Sequence, residues 1–466
     1  MSIARRLDGA PMTPAAHISA AIEVLDDVAK RRRPAAEALK DWGIAHRFAG
    51  SKDRAAIASL VFDALRKRAS AIYVMGADDP RAIMLGALRE ARGQGAEAIA
   101  ALCSGAGHAP APLSDEERHR LETGSLADAP DHVRGDYPEW LASHFEAAFG
   151  ARAAEEGAAL AARAPVDLRV NILKCSREQA LEKLAHLSPA PTPLSPIGMR
   201  IEAGQGRGPA LTAETAYVKG LVEPQDEASQ LAALLCAAGP GEQVLDLCAG
   251  GGGKALALAG QMHNRGQVYA YDADGRRLMP IHERLERAGA RNIQVRAPRG
   301  KADVLADLEA RCDLVLIDAP CTGVGAWRRH PDAKWRLAPG ALDRRLKEQR
   351  ELLAMAVRFV KPGGRLAYVT CSALREENED QIAAFLAANP DFASRSAAET
   401  AEAAGLPDLA RFASPHGPGI RLSPATSGTD GFYICVLAKV NSSELAQMSS
   451  VGVPSPAKRG RDREGA

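Results

Sequence analysis

Two cysteines follow apolar stretches that have the length of β-strands. Residues 314–317 run into Asp318 and then Cys321, and residues 366–369 are followed by Cys371. Because parallel strands end at the edge of a sheet where ligands bind, neighbouring strands would bring the two thiols together. A single buried cysteine is usually an inert, small hydrophobic residue, but a pair at one edge favours nucleophilic catalysis by a thiolate.

A glycine-rich loop lies between another predicted strand and a helix. Four consecutive glycines, Gly250 to Gly253, separate residues 244–248 from a helix that begins near Lys254. Glycine lets a ligand approach the backbone, and a helix N-terminus favours an anion or a carboxylate. A nucleoside triphosphate loop needs Gly at Cys248 and Ser or Thr at Ala255, so this class of site is excluded.

An acid ends the next predicted strand. Asp272 follows Gly250 by roughly 20 residues, the spacing at which an acid binds the hydroxyl pair of a ribose. The loop and the acid together fit NAD and S-adenosylmethionine equally well. The cofactor therefore has to be decided by residues elsewhere in the chain.

Four further motifs narrow the choice. They are Asp318-Ala-Pro-Cys321-Thr-Gly, Arg328-Arg-His-Pro-Asp332, Thr370-Cys371-Ser372 with Glu376-Glu377-Asn378, and Asp430-Gly-Phe-Tyr433. Over roughly residues 136–440 the chain resembles the Sun/RsmB family of RNA cytosine 5-methyltransferases. The resemblance implies S-adenosylmethionine as the cofactor and RNA as the partner. It favours small-subunit ribosomal RNA, methylated before the subunit is assembled, with transfer RNA as the alternative substrate.

The resemblance also implies a role for each predicted site residue. Cys371 would attack carbon 6 of the cytosine, because an aromatic pyrimidine does not take a methyl group at carbon 5 without such an adduct. Asp318 would hold or protonate nitrogen 3, and Cys321 would assist loss of the carbon 5 proton and release of the enzyme. The target base has to leave its stack to reach these groups. The predicted cofactor site consists of Cys248, Ala249, Gly250, Gly251, Gly252, Gly253, Lys254, Asp272 and Asp318.

Some positions differ from the family pattern. The family usually has Ala-Pro where this chain has Gly250-Gly251, and Thr where it has Ala255. The acid expected near the adenine has no clear counterpart, since Pro298 stands at that place and Asp303 is a distant candidate.

Basic and aromatic residues outside the site suggest further contacts. Arg169 and Asn171 resemble the family's Arg-x-Asn element. For four other residues two interpretations are equally supported: they contact RNA, or they are ordinary surface and packing residues. These four are Arg328, Arg329, Lys334 and Trp335.

Three other functions remain as alternatives. A DNA cytosine methyltransferase would use Cys321 as its nucleophile and needs Glu-Asn-Val, whereas here Asn378 is followed by Glu379. If the protein were a nicotinamide dehydrogenase, Asp272 would have a function, but neither cysteine would. A non-catalytic RNA-binding assembly factor with the same fold is supported by the missing acid near Pro298.

Composition is that of a globular protein. The 466 residues are 46% hydrophobic and 25% charged, with a formal net charge of +1, so binding to RNA would depend on local basic patches. No stretch has the length of a membrane span, and the start has no apolar signal segment. The 8 cysteines have no metal-binding spacing. We expect a cytoplasmic protein that uses no metal and contacts no membrane; its oligomeric state is not indicated.

The hydrophobic patterns predict the elements that position these motifs. Residues 1–135 form a predicted all-helical domain that ends in a Gly- and Pro-rich connector, from about residue 103. In position and type this domain is similar to the NusB-like RNA-binding domain of bacterial members of the family, so the resemblance implies RNA binding here. Residues 136–215 are a predicted small α/β subdomain. Alternating strands and helices over 216–440 predict a doubly wound, Rossmann-like parallel sheet. Residues 441–466 are predicted to be a disordered tail. The predicted strands of the sheet are residues 243–248, 267–271, 292–296, 313–318, 365–370 and 432–440.

Overall fold

The computed structural model describes residues 12–204 and 208–440. The predicted tail, residues 441–466, lies outside this part of the chain. Three regions follow one another: a group of helices, a small antiparallel sheet and a large mixed sheet. None of the described helices is long and apolar enough to cross a membrane.

The first region is entirely helical, as predicted. Its helices are α1 (Pro14–Arg31), α2 (Ala35–Ala45), α3 (Ser51–Arg66), α4 (Arg68–Met75), α5 (Pro80–Glu90), α6 (Ala96–Leu102), α7 (Asp115–Thr123) and α8 (Asp131–Arg134). Apolar side chains of α1, α3 and α5, such as Ala21, Ile57 and Leu85, form one buried core. The helical spacing of these apolar residues is visible in the sequence, so the local pattern predicts this part of the fold.

The predicted connector is not a simple loop. Helix α7 lies within it and begins at a capping box, in which the Ser114 hydroxyl accepts from the Glu117 N–H at 3.1 Å. The Glu117 carboxylate accepts from the Ser114 N–H in return. Leu121 of α7 is buried in the core of the helical region. The cap signal Ser-x-x-Glu is present in the sequence and marks the start of this helix within the predicted connector.

The second region contains four short antiparallel strands in the order β2-β3-β1-β4. Its elements are α9 (Ala142–Phe149), α10 (Ala153–Ala161), β1 (Val166–Val170), α11 (Arg177–Lys183), β2 (Ala190–Pro191), β3 (Gly198–Ile201), α12 (Thr215–Val218) and β4 (Val222–Pro224). Asn171, just after β1, donates to the carbonyls of Gly220 and Ala288, both at 2.8 Å. This side chain fixes the small sheet to the third region.

The third region is a sheet in the order β10-β12-β9-β8-β5-β6-β7, with β11 beside β12. Its strands are β5 (Gln243–Asp246), β6 (Gln267–Tyr271), β7 (Ile293–Arg296), β8 (Cys312–Asp318), β9 (Val360–Thr370), β10 (Phe392–Ser394), β11 (Ile420–Leu422) and β12 (Phe432–Lys439). Its helices are α13 (Glu227–Leu234), α14 (Gly253–Gln261), α15 (Gly275–Leu278), α16 (Ile281–Ala288), α17 (Ala333–Arg336), α18 (Pro339–Val357), α19 (Glu379–Ala388), α20 (Ala397–Ala403) and α21 (Pro424–Ser427). Strands β5 to β9 pair in parallel, which is the predicted Rossmann-like arrangement.

Alternate residues of the strands face two separate cores. In β8, Leu314 and Leu316 pack with α13 and α14, whereas Val315 and Ile317 pack with α18 and α19. A strand covered by helices on both faces has to be apolar throughout, and this explains the unbroken hydrophobic runs in the sequence.

Two details of the sheet differ from the prediction. The last predicted strand, β12, lies between β9 and β10 and runs antiparallel to β9, and β11, which precedes it in the chain, also pairs with it antiparallel. The alternation of strands and helices predicts one helix between β6 and β7, but the structure has two, since Pro280 separates α15 from α16.

The four residues predicted as possible RNA contacts lie at contacts within the protein. Arg328, which is 4% exposed, and Arg329 both pair with Asp226 and Asp430. Lys334, at 1% exposure, donates to the carbonyls of Arg66 and Asp136. Trp335 donates its indole N–H to the carbonyl of Leu65 at 2.6 Å. The four residues therefore make contacts within the protein, as the second interpretation predicts. The segment that carries them joins the helical region to the large sheet.

The buried amine of Lys334 makes the stability of this junction depend on pH. Burial lowers the pKa of Lys334 from 10.5 to about 7. Between these values the unfolded chain binds one more proton than the folded chain, so a rise in pH stabilises the fold, by at most about 1.4 kcal/mol per pH unit. We expect the melting temperature of the wild type to rise relative to that of Lys334→Met between pH 7 and 9. Calorimetry of both proteins measures this. The exposed Lys347→Met is the matched control, and parallel curves for wild type and Lys334→Met would contradict the expectation.

Candidate active site

The glycine loop lies at the carboxyl end of β5 and leads into α14. Gly252 is the N-cap of α14 and has φ +81°, in the left-handed region that glycine adopts without strain. The Ala249 N–H donates to the carbonyl of Tyr271 at 2.8 Å, and the Gly250 N–H donates to the Asp272 carboxylate at 3.1 Å. The Asp272 carboxylate therefore fixes the glycine loop. Its second oxygen accepts a hydrogen bond from the Asp274 N–H at 2.9 Å.

Two arginines from outside the loop support it from behind. Arg169 of β1 donates to the carbonyl of Gly253, and Arg284 of α16 donates to that of Gly251, both at 2.5 Å. Arg284 is itself held by Glu223 of β4 at 3.1 Å. The small antiparallel sheet therefore positions the cofactor loop, and this gives the Arg169 element a structural role.

Gly252 is the position in this loop that tolerates a side chain least. A Cβ there would lie 2.5 Å from Ile281 Cγ1, besides the cost of a positive φ. We expect Gly252→Ala to destabilise the fold by about 1–3 kcal/mol and to weaken binding of S-adenosylmethionine. Thermal unfolding and titration calorimetry measure the two effects. In Gly239→Ala a Cβ would meet nothing closer than 3.7 Å, so this control should match the wild type. Equal behaviour of the two variants would contradict this account of the loop.

Asp318 and Lys254 form an ion pair between the loop and the end of β8. The Lys254 Nζ lies 2.7 Å from Asp318 Oδ2, and the lysine is 7% exposed while the Asp318 side chain is 35% exposed. Burial alone would lower the pKa of Lys254, but the Asp318 carboxylate outweighs it and raises that pKa. Asp318 is therefore held by Lys254 and remains accessible to a ligand.

The two predicted thiols meet at the carboxyl edge of the sheet. Strands β8 and β9 are neighbours, and the Sγ atoms of Cys321 and Cys371 are 3.4 Å apart. The hydrogen bond with Cys371 and then burial raise the pKa of Cys321 well above its ordinary value. Cys321 is therefore the thiol that keeps its proton, and Cys371 remains the predicted nucleophile.

Comparison with known proteins agrees with this geometry. A family model described as 16S rRNA methyltransferase RsmB/F matches residues 233–438, and an RsmF/B-like ferredoxin-like domain matches residues 137–205. The ribosomal RNA small subunit methyltransferase B of Sodalis glossinidius is 36% identical over 325 residues, 69% of this chain and 70% of that protein. The chain belongs to the RsmB/F family of methyltransferases.

Two further likenesses support the family. The ribosomal RNA small subunit methyltransferase B of Salmonella typhi is 33% identical over 67% of this chain and 68% of its own length. A methyltransferase homologue from Pyrococcus horikoshii has a crystal structure that is 26% identical, with a TM-score of 0.53 over 66% of this chain and 98% of its own. Members of the RsmB/F family depend on S-adenosylmethionine, so the earlier choice between this cofactor and NAD is decided.

The residues present fit that cofactor. Asp246, at the end of β5, is 1% exposed, and its Oδ1 has no hydrogen-bond partner in the described residues. Burial and then the Asp318 charge raise the pKa of Asp246 to about 7. A buried acid with one oxygen left without a partner, at the strand end before the loop, suits the ammonium group of the cofactor. Asp272 and the glycine backbone remain the predicted ribose and carboxylate contacts.

Sequence reasoning missed several residues that shape the site. Asp246 lies inside the predicted strand 243–248 and ends β5 in the structure, so an acid within this apolar run was a usable signal. Arg284 and Gln349 gave none, because they reach the site from helices distant in sequence. Asp303, the distant candidate for the adenine acid, pairs with Arg358 at 2.6 Å.

Proposed function

We propose that this enzyme transfers a methyl group from S-adenosylmethionine to carbon 5 of a cytosine in small-subunit ribosomal RNA. The observation that carries the proposal is the pair of thiols, 3.4 Å apart, beside the Lys254–Asp318 pair and the cofactor loop. A nicotinamide dehydrogenase has no use for this pair. The reaction would take place in the cytoplasm, where subunit assembly supplies the RNA.

The first step assigned to the protein is the attack of Cys371. Its thiolate forms a bond to carbon 6 of the cytosine, which breaks the aromaticity of the ring and makes carbon 5 nucleophilic. Asp318, held by Lys254, is the group that would contact nitrogen 3 of the ring. The cofactor, when bound, supplies the methyl group as a sulfonium.

The second step depends on a change in Cys321. Before attack, its proton is held because the neighbouring Cys371 raises the Cys321 pKa. Once Cys371 is bonded to carbon, it carries no charge and accepts no proton, so this cause disappears and the pKa of Cys321 falls. Cys321 can then release its proton to solvent, and its thiolate takes the carbon 5 proton. The electrons of the carbon 5–hydrogen bond re-form the aromatic ring, and the bond between Cys371 and carbon 6 breaks to return Cys371 as a thiolate.

The test uses the purified protein and RNA transcribed in vitro. Protein, S-adenosylmethionine and naked small-subunit RNA are incubated, and digested nucleosides are analysed by mass spectrometry. One 5-methylcytidine per RNA supports the proposal, and assembled subunits should react less if the target is buried there. Transfer RNA serves as the second substrate. If only transfer RNA is methylated, transfer RNA is the substrate of this enzyme. If RNA is bound but none is methylated, the result favours the non-catalytic assembly factor.

A further inference from the structure

A carboxylate that no motif role explains lies directly behind the two thiols. Glu377 is fully buried, at 0% exposure, in the turn that follows β9. Its four hydrogen-bond donors are the Thr322 N–H at 2.8 Å, the Thr322 hydroxyl at 2.5 Å, the Ser372 hydroxyl and the Gln349 amide at 3.0 Å. A carboxylate has about four acceptor positions, so Glu377 is saturated and is not available as a proton-transfer group.

The positions of these donors indicate what the carboxylate does. Thr322 directly follows Cys321, and Ser372 directly follows Cys371, so one side chain holds the residue next to each thiol. Gln349 of α18 donates to the carbonyl of Pro320 at 3.0 Å as well as to Glu377. Both cysteine loops are thereby fixed to one group and to one long helix.

The neighbouring residue strengthens the same arrangement. Asn378 accepts from the Thr370 hydroxyl at 2.5 Å and donates to the carbonyl of Ser372 at 3.0 Å, so it holds both sides of Cys371. A direct backbone link, from the Gly325 N–H to the carbonyl of Cys371 at 3.0 Å, joins the loops further. Burial raises the pKa of Glu377 and the donors lower it in part. Burying a carboxylate among neutral donors costs more folding free energy than burying an apolar side chain. A role that accounts for this cost is to fix the positions of the donor groups.

We propose that Glu377 is a positioning residue that sets the distance between the thiols of Cys321 and Cys371. The proposal deepens the proposed function and rests on it for its effect on catalysis. The distance between the thiols itself does not depend on that function. This makes two separate readouts possible, one of geometry and one of activity.

The geometric readout is the rate at which diamide joins the two thiols in the full-length protein without RNA. The reaction forms one S–S bond and transfers two protons and two electrons to diamide. With the sulfurs 3.4 Å apart the wild type should react quickly, and Glu377→Ala should react at least about 10-fold more slowly. Glu376→Gln is the matched control, since this neighbouring acid pairs with His144 and not with either cysteine loop. Thiol titration and peptide mass spectrometry follow the product.

The activity readout separates positioning from a general loss of structure. We expect Glu377→Ala to lower kcat by about 10²-fold, with KM for RNA and affinity for S-adenosylmethionine changed less than about 3-fold. Glu377→Gln, which keeps the shape and one acceptor oxygen, should recover part of kcat. If Glu377→Ala does not fold, the double variant Thr322→Val with Ser372→Ala removes the two hydroxyl donors and leaves the carboxylate in place.

The outcomes decide the proposal. Slower cross-linking together with lower kcat supports it, in Glu377→Ala or in the double variant. Wild-type cross-linking rates in the folded variants would overturn it. If cross-linking depends on Glu377 but even the wild type methylates no RNA, the positioning role stands and the proposed function fails.

Discussion

Replacing Cys371 with alanine is expected to abolish both methyl transfer and the covalent protein–RNA adduct. Without the thiolate no bond to carbon 6 forms, and carbon 5 stays unreactive. The rate should fall by on the order of 10⁴-fold or more, as for the removal of other catalytic nucleophiles. The adduct is measured on a denaturing gel with RNA in which the target cytosine is replaced by 5-fluorocytosine, because fluorine at carbon 5 prevents release of the enzyme.

The control for Cys371→Ala has to lose a thiol elsewhere in the same sheet. Cys435→Ala serves this purpose, since Cys435 is buried in β12 and burial raises its pKa to about 12, which makes it an inert thiol. Both variants should bind S-adenosylmethionine as the wild type does, because the cofactor loop is unchanged. An adduct formed by Cys371→Ala would show that the other cysteine is the nucleophile.

Replacing Cys321 with alanine is expected to give the opposite result. Cys371 can still attack, and carbon 5 can still take the methyl group, but the group that removes the carbon 5 proton is absent. A covalent complex with ordinary RNA should therefore accumulate, and turnover should fall by about 10²-fold or more. A denaturing gel measures the complex, and labelled methyl groups show that the trapped RNA is methylated.

Two results would contradict this division of labour between the cysteines. The first is a Cys321→Ala protein that forms no adduct, which would make Cys321 the nucleophile. The second is normal turnover, which would mean that another base removes the proton. The account, in which Cys321 keeps its proton 3.4 Å from the sulfur of Cys371, predicts neither of them.

Those parts of the site that depend on strand order could be predicted from the sequence. Cys321 and Cys371 follow two apolar runs, and the Rossmann-like alternation predicts where parallel strands end. The structure places both at one edge because β8 and β9 are direct neighbours. The glycine loop and Asp272 follow the same logic, since each lies at the end of its own strand. The predicted catalytic roles themselves rest on the experiments above.

Contacts between distant elements could not be predicted in this way. Arg284 supports the cofactor loop from α16, 33 positions further along the chain, and Gln349 reaches Glu377 from α18. Lys334 and Trp335 have the composition of an RNA-binding segment, yet their N–H groups donate to the carbonyl oxygens of Arg66 and Leu65 in α3. A charged or aromatic residue has no local signal that distinguishes an internal partner from RNA, because both offer acceptors.

The departures from the family pattern can now be placed in the fold. Pro298 Cδ lies 3.7 Å from the position of a Cβ at Gly275, so it is beside the loop that carries Asp272. An apolar residue there supplies no carboxylate for the adenine. Two other predicted cofactor residues, Lys254 and Asp318, form an ion pair beside the glycine loop.

Bisulfite sequencing of total RNA tests the central claim most directly. Cells that lack the gene are compared with cells that carry the wild type or Cys371→Ala. The account predicts that one cytosine of the small-subunit ribosomal RNA is protected from conversion by the wild type and is converted in the other two strains. Unchanged protection at every ribosomal and transfer RNA cytosine in all three strains would contradict it.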